Sequence, residues 1–328
     1  MNRSSRHCSD HNRCVYPWIF IGAGLAIGLA SCASFKHLTQ VSNTFPPAKD
    51  CGKCHVDIYH EWSQSDHAHA YTNPHFREAK DDYAFEDCLG CHAPEPMLTA
   101  GRPGVRPSGR EEGVTCVACH LDQGVLSGPL KPTGKVHPHP IGVRPEIYLD
   151  SGICGRCHEG TMEQWTAVES RKNTCQECHM GSIERKVTQA TGGISNLLVA
   201  MEKQVPVRRH EFRIPDGSEW LGLNLRRSGT AAEVVVENRC PHDLPTGNFG
   251  FRVVTLEVFA ADGRGRTLRV GRWELARESG TALRPGESRT WTVAVPEDLE
   301  LTRAVLTRRS YGEEALVLAE SRWEDHQP

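Results

Sequence analysis

One pentapeptide, Cys-x-x-Cys-His, occurs five times between residues 51 and 179, and no other feature constrains the fold of this chain so tightly. The copies are Cys51-Gly52-Lys53-Cys54-His55, Cys88-Leu89-Gly90-Cys91-His92, Cys116-Val117-Ala118-Cys119-His120, Cys154-Gly155-Arg156-Cys157-His158 and Cys175-Gln176-Glu177-Cys178-His179. With 14 Cys and 17 His in 328 residues, chance supplies well under one copy. Two thiols three positions apart can add to the two vinyl groups of one porphyrin, and the adjacent imidazole is then held against its iron. The competing chemistry is zinc, which two Cys-x-x-Cys pairs grip together. Five pairs leave one over, and a His follows every second Cys. The sequence therefore predicts five covalently attached haem c groups, with iron held by His55, His92, His120, His158 and His179.

Five six-coordinate irons need five distal ligands, and ten further His lie beyond residue 32. His67 and His69 follow the first motif closely. His137 and His139 sit in His137-Pro138-His139-Pro140, where the prolines stiffen a loop. His210 follows Arg208-Arg209, and His242 lies in Cys240-Pro241-His242-Asp243-Leu244-Pro245-Thr246-Gly247, between two predicted strands. Met97, Met162, Met180 and Met201 are alternatives that would raise a haem's potential. An internal repeat complicates the count: Trp62 stands seven residues beyond His55, and Trp165 seven beyond His158. Five residues past each Trp the copies diverge, with His67 in one and Ser170 in the other. The haem at His158 thus takes a distal ligand from elsewhere or keeps an open site.

Around this block the chain divides into four. Residues 1–31 have the layout of an export signal, with Arg3, Arg6 and Arg13 ahead of an apolar run from Val15 to Ser31. Leu29-Ala30-Ser31-Cys32 resembles the bacterial lipoprotein signal, which implies cleavage before Cys32 and lipidation of that thiol. Ala33 stands where the Asp of inner-membrane retention would be. The alternative is an uncleaved membrane anchor, and both place the bulk of the chain outside the cytoplasm. Residues 32–48 read as a tether, 49–205 as a mainly α and irregular pentahaem domain, and 206–328 as an all-β domain. In the last segment Glu233–Glu237, Val254–Val258 and Trp291–Val295 alternate apolar residues as half-buried strands do. About seven such strands, separated by turns such as Asp262-Gly263-Arg264-Gly265, predict an immunoglobulin-like sandwich. Cys240 reads as a buried structural thiol.

Residues 45–205 carry 16 Lys and Arg against 21 Asp and Glu, and the propionates of five haems deepen that acidity. Residues 206–328 are balanced, 18 Arg against 19 acidic groups. This excludes nucleic acid as a partner and favours basic redox proteins.

The block from Cys51 to Ala70, with Trp62, Ser65 and His67-Ala68, and the string Gly113-Val114-Thr115-Cys116-Val117-Ala118-Cys119-His120 resemble the multihaem cytochrome family that includes the tetrahaem electron acceptor of hydroxylamine oxidation. Related reductases act on nitrite, hydroxylamine and tetrathionate. The resemblance spans roughly residues 50–180; it implies porphyrins stacked in near-contact pairs and His67 as a distal ligand. Segments 175–180, 209–212 and 238–247 resemble exported multihaem cytochromes with a β-sandwich tail. No Cys-x-x-Cys-Lys is present, so the catalytic attachment motif of ammonia-forming nitrite reductases is missing. The expected role is an electron relay whose partners are other redox proteins or a membrane oxidoreductase. A reductase with one open haem, and a cytochrome docked through its sandwich into a complex or oligomer, are the alternatives.

Overall fold

The structure, a computed structural model, describes residues 45–79, 81–84, 86–98, 101–134, 137–169, 173–189, 199–215, 217–247, 252–310 and 314–323. Cys32, the expected signal segment, His37 and His326 lie outside the described residues, as does most of a helix expected over 189–203. Among the described residues no helix is long and apolar enough to cross a membrane.

Up to residue 180 the chain is a string of short helices. They are α1 (Ala48–Cys51), α2 (Val56–Ser63), α3 (Asp66–His69), α4 (Pro74–Ala79), α5 (Leu89–His92), α6 (Cys116–His120), α7 (Pro145–Tyr148), α8 (Gly152–Gly155), α9 (Glu159–Ala167) and α10 (Cys175–His179). Every Cys-x-x-Cys-His copy contributes a helical turn, and in the first and fourth copies a new helix starts just after the His. Even α9 has only 9 residues, shorter than an isolated helix needs to persist in water. Thr174 caps α10 in a reciprocal capping box with Glu177, whereas the equivalent Thr115 turns its hydroxyl to Glu112 instead.

The internal repeat is structural. A Cβ on Gly52 would meet the Tyr59 ring at 2.6 Å, and one on Gly155 would meet Met162 at 2.7 Å, so both motifs need Gly where the following helix folds back. Each Trp indole N–H is also anchored, Trp62 on the Val114 carbonyl at 2.9 Å and Trp165 on that of Asn173 at 3.0 Å. The loop between the second and third motifs is ordered by buried Arg106, whose guanidinium donates to the carbonyls of Ser108, Gly109 and Gly113.

Two small sheets belong to this half. β1 (Leu121–Asp122) pairs antiparallel with β2 (Val125–Gly128), and β2 pairs parallel with β3 (Ile141–Val143). β4 (Ser182–Arg185) pairs antiparallel with β5 (Val205–Arg208). Because β5 crosses the expected 205/206 division while pairing backwards, the sheet-rich region proper begins later.

That region holds β6 (Leu221–Ser228), β7 (Ala231–Asn238), β8 (Arg252–Asp262), β9 (Thr267–Leu275), β10 (Ser288–Ala294), β11 (Leu299–Ser310) and β12 (Leu316–Arg322). They form two antiparallel sheets, ordered β10-β7-β6 and β12-β11-β8-β9. The three segments singled out by alternation fall on β7, β8 and β10, and β7 alternates half-buried with buried residues along its whole length. Both sheets feed one core, including Leu225, Val234 and Val236 from the first and Leu256, Val258, Leu301 and Leu306 from the second. The contrast with the first half is sharp. There the side-chain cluster around Trp62 consists of Ala48, Trp62 and Ala68, with Tyr59 and Cys116 against it.

Candidate haem centres

Each motif leaves its two thiols and its imidazole on the outside of one helical turn. All eleven described cysteines are free and half-buried. His55, His92, His120 and His179 share one arrangement: ring Nδ1 hydrogen-bonds a backbone carbonyl, of Val187 at 3.0 Å, Ala70 at 2.6 Å, Ser127 at 2.7 Å and Arg213 at 2.9 Å respectively. A carbonyl only accepts, so Nδ1 carries the proton and Nε2 keeps its lone pair for a metal.

The distal candidates separate clearly by position. His67 faces His158 with ring centroids 6.2 Å apart, His210 faces His120 at 6.2 Å, and His242 faces His179 at 6.5 Å. A metal–imidazole bond of about 2.0–2.1 Å, with the ring centre roughly 1.2 Å behind its nitrogen, puts two imidazoles on opposite sides of one metal about 6.4 Å apart. All three pairs match that separation. His210 and His242 also direct Nδ1 to backbone carbonyls, of Arg208 and Asp243, both at 3.1 Å. His139 is half-buried, bonds the Pro140 carbonyl through Nδ1 at 3.2 Å and lies within electrostatic reach of His55. Its neighbour His137 is exposed, and so is His69. His92 packs flat against Phe76, centroids 3.7 Å apart and planes 3° from parallel.

Burial lowers the pKa of His67, His120, His139, His158, His210 and His242. His67 is pushed down to about 3 by desolvation, with the neighbouring charges of His158 and His210 acting the same way. His210 is pushed down to about 4, again by desolvation first and then by His120. An imidazole that resists protonation remains a metal ligand.

Covalent haem fits this scaffold on four independent counts. The ring pairs have the required gap, the Nδ1 bonds preset Nε2, and the described side-chain cluster around Trp62 is small, three buried residues, with Leu89, Val117 and Leu121 buried within or beside other motifs. The fourth is a set of orphaned donors: Arg156 Nε, inside the fourth motif, and Arg185 Nε, near His210, are buried without a partner, as suits groups that meet a propionate. Zinc would need ligands converging in fours, and among the described residues no three or more His, Cys, Asp or Glu side chains gather as a metal cluster.

Thiols of different motifs adjoin. Cys51 hydrogen-bonds Cys116, Cys91 bonds Cys157 and Cys154 bonds Cys175. Sharing a proton with its partner lowers Cys91 to about 7 and Cys175 to about 6. Cys119, pushed up to about 12 by burial alone, is close enough to raise both Cys154 and Cys157. The first motif therefore sits beside the third, the third beside the fourth, and the fourth beside both the second and the fifth.

Residues 50–121 match the family model for cytochrome c554 and c-prime. Among solved structures the chain is similar to a penta-heme cytochrome c552 from Thermochromatium tepidum, at 20% identity and a TM-score of 0.56, covering 84% of this chain and 98% of that one. The chain has the fold of a multihaem c-type cytochrome. No curated protein matches it. A short overlap with the E. coli curli protein CsgC, at 11% identity and a TM-score of 0.20 over 31% of this chain, bears on nothing here.

Several contributors to the centres left no local mark in the sequence. Phe212 sets its ring edge-on to His67 at 4.2 Å and to His210 at 6.0 Å, from a backbone with φ of 51° that is costly for an aromatic residue. Gln164 on α9 accepts from the Asp243 N–H at 3.0 Å and the Thr246 hydroxyl at 2.7 Å, fastening the loop that carries His242. Asn238 braces the same loop from behind, donating to the carbonyls of His242 and Leu283. Tyr148 stacks on His120 at 5.2 Å and donates to the Cys119 carbonyl. The haem at His158 is expected from the sequence to take a distal ligand from elsewhere or to keep an open site, and His67, which follows the first motif in sequence, has its ring opposite His158.

Proposed function

We propose that this chain is an electron-transfer cytochrome carrying five haem c groups, which relays single electrons between redox proteins outside the cytoplasm. The observation that carries this reading is the three facing imidazole pairs at 6.2–6.5 Å, because irons closed on both sides favour electron transfer over substrate binding. Thioether pairs Cys51/Cys54, Cys88/Cys91, Cys116/Cys119, Cys154/Cys157 and Cys175/Cys178 would hold the porphyrins, with the five motif histidines as proximal ligands. His67, His210 and His242 are assigned as distal ligands opposite His158, His120 and His179, and His139 opposite His55. The haems supply one-electron iron chemistry. The protein disfavours protonation of His67, His120, His139, His158, His210 and His242 by burial, aims Nε2 of His55, His92, His120, His179, His210 and His242 through their Nδ1 bonds and holds neighbouring motifs in a continuous series.

The sheet-rich region is read as an immunoglobulin-like sandwich, three strands against four, whose 240–247 loop closes the centre at His179. Export, lipidation of Cys32 and docking into a larger cytochrome assembly complete the proposal. The balance of charge in residues 45–205 favours basic partners, so encounter rates should fall with ionic strength. Spectra of the oxidised and reduced protein test the relay reading. Unchanged spectra with nitrite, hydroxylamine, nitric oxide and carbon monoxide support it, and turnover of nitrite or hydroxylamine with a viologen donor overturns it.

A further inference from the structure

Glu61 is a buried carboxylate in the middle of α2, the helix that begins directly after His55. It makes a two-pronged ion pair with Arg185 on β4, at 2.6 and 2.8 Å, and a longer contact with Arg209 at 3.5 Å. The same carboxylate accepts the backbone N–H of His210 at 3.0 Å. His210 is in turn the ring that faces His120. A charge removed from water is tolerated only when paired and hydrogen-bonded, and here all of its partners lie more than a hundred residues away along the chain. That expense is hard to justify by stability alone, since a well-packed apolar trio commonly serves as well. What an apolar trio cannot do is hold a backbone N–H in place.

We infer that Glu61 is a positioning residue, which fixes the backbone of His210 so that its imidazole stays on the metal held by His120. The first motif's helix thereby governs ligation at the third centre, and the two motifs are already neighbours through Cys51 and Cys116. Arg185 and Arg209 are the counter-charges that keep the carboxylate ionised and oriented. Although burial alone would raise the Glu61 pKa, those guanidiniums and the His210 N–H outweigh it and hold it below the ordinary carboxylate range. This inference rests on the assignment of His210 as a distal ligand.

The test compares Glu61→Ala with His210→Gly in the full haem-loaded protein, by electron paramagnetic resonance and potentiometric titration. His210→Gly should convert one of five irons to high spin, and free imidazole should reverse it. Glu61→Ala should give the same conversion and the same rescue, with five haems still attached, because the ligand is present but no longer held. A fully low-spin Glu61→Ala protein beside a high-spin His210→Gly protein overturns the positioning role and leaves the ligand assignment standing. If His210→Gly is itself low-spin, the assignment fails and takes the inference with it. Should Glu61→Ala not accumulate, Glu61→Gln decides. It keeps an acceptor for the N–H but loses the charge that orders the arginines, so a partial conversion reversed by imidazole is expected. Low-spin irons with wild-type potentials overturn the inference.

Discussion

Replacing Gln164 with Ala should loosen His242, the distal ligand proposed for the centre at His179, without touching the motif or His242 itself. Gln164 Oε1 receives two hydrogen bonds from the 240–247 loop, from Asp243 and Thr246, and these tie α9 to the sheet-rich half. Each is worth roughly 0.5–1.5 kcal/mol net. Losing both costs the docked loop about 2 kcal/mol, or roughly a thirtyfold shift toward the undocked state, since about 1.4 kcal/mol is a factor of ten. Leu244 stays seated in the core of the sheet-rich half, which should keep its own melting transition. Carbon monoxide binding to the reduced protein, measured as the difference from the unmodified chain, reads the shift directly, because an iron that has lost His242 can bind. The apparent affinity of one haem should rise about thirtyfold in Gln164→Ala. Thr246→Val, which removes the hydroxyl bonded to both Gln164 and Thr161, should raise it by about the same factor. Unchanged affinity in both variants refutes the clamp.

A chain ending after Arg213 keeps the Nδ1 acceptor of His179 but loses His242, and should retain all haems with one iron turned high-spin; retention of low-spin character at every iron would place the ligand elsewhere. The facing rings differ in mutual tilt, 18° for His179–His242 and 55° for His67–His158, and this angle sets the splitting of the iron d orbitals. Electron paramagnetic resonance should resolve at least two distinct low-spin signals, the more rhombic one vanishing in His242→Ala. Gly52→Ala places a methyl 2.6 Å from the Tyr59 ring and should destabilise the protein by about 1–3 kcal/mol, visible as a lower melting temperature. The pH dependence follows from His67, held near 3, and His210, held near 4. An unfolded His takes up a proton below about 6.5, which the folded rings do not. Stability at these sites is intact above that value and is lost progressively as the pH falls toward 4, so thermal melts at pH 7 and pH 5 should separate, with the lower temperature at pH 5.

The parts that could be read from sequence are those written in local spacing. Cys-x-x-Cys-His is a single helical turn, so its meaning survives without the fold. The spacing of the repeated Trp is equally local, and the Gly contacts lie within one motif and the helix after it, whereas Trp62 finds its partner only on distant Val114. Val234 and Val236 announce a strand by alternation, and the distal candidates stand out by context, His137, His139 and His242 beside prolines, His210 after two arginines, His67 and His69 shortly after the first motif. Which ring faces which iron was not legible. His67 is twelve residues from His55 yet stands opposite His158, because the motifs assemble by cross-pairing such as Cys91 with Cys157. Nothing local in the sequence marks Glu61, whose partners Arg185, Arg209 and the His210 N–H are brought to it by β4 and residues 209–210. Phe212 is invisible for a related reason, since its ring partner His67 lies far away along the chain. Cys240, expected to be structural, is half-buried with its thiol directed to the Trp220 carbonyl at 3.8 Å.

Everything above depends on porphyrins serving as the interior of the first half. The most direct measurement is the intact mass of the exported chain, paired with its absorption spectrum after reduction in alkaline pyridine. Five haem increments on one polypeptide, resistant to acid extraction, are predicted. A chain that folds at its bare polypeptide mass, or one whose metal is zinc, would contradict the account.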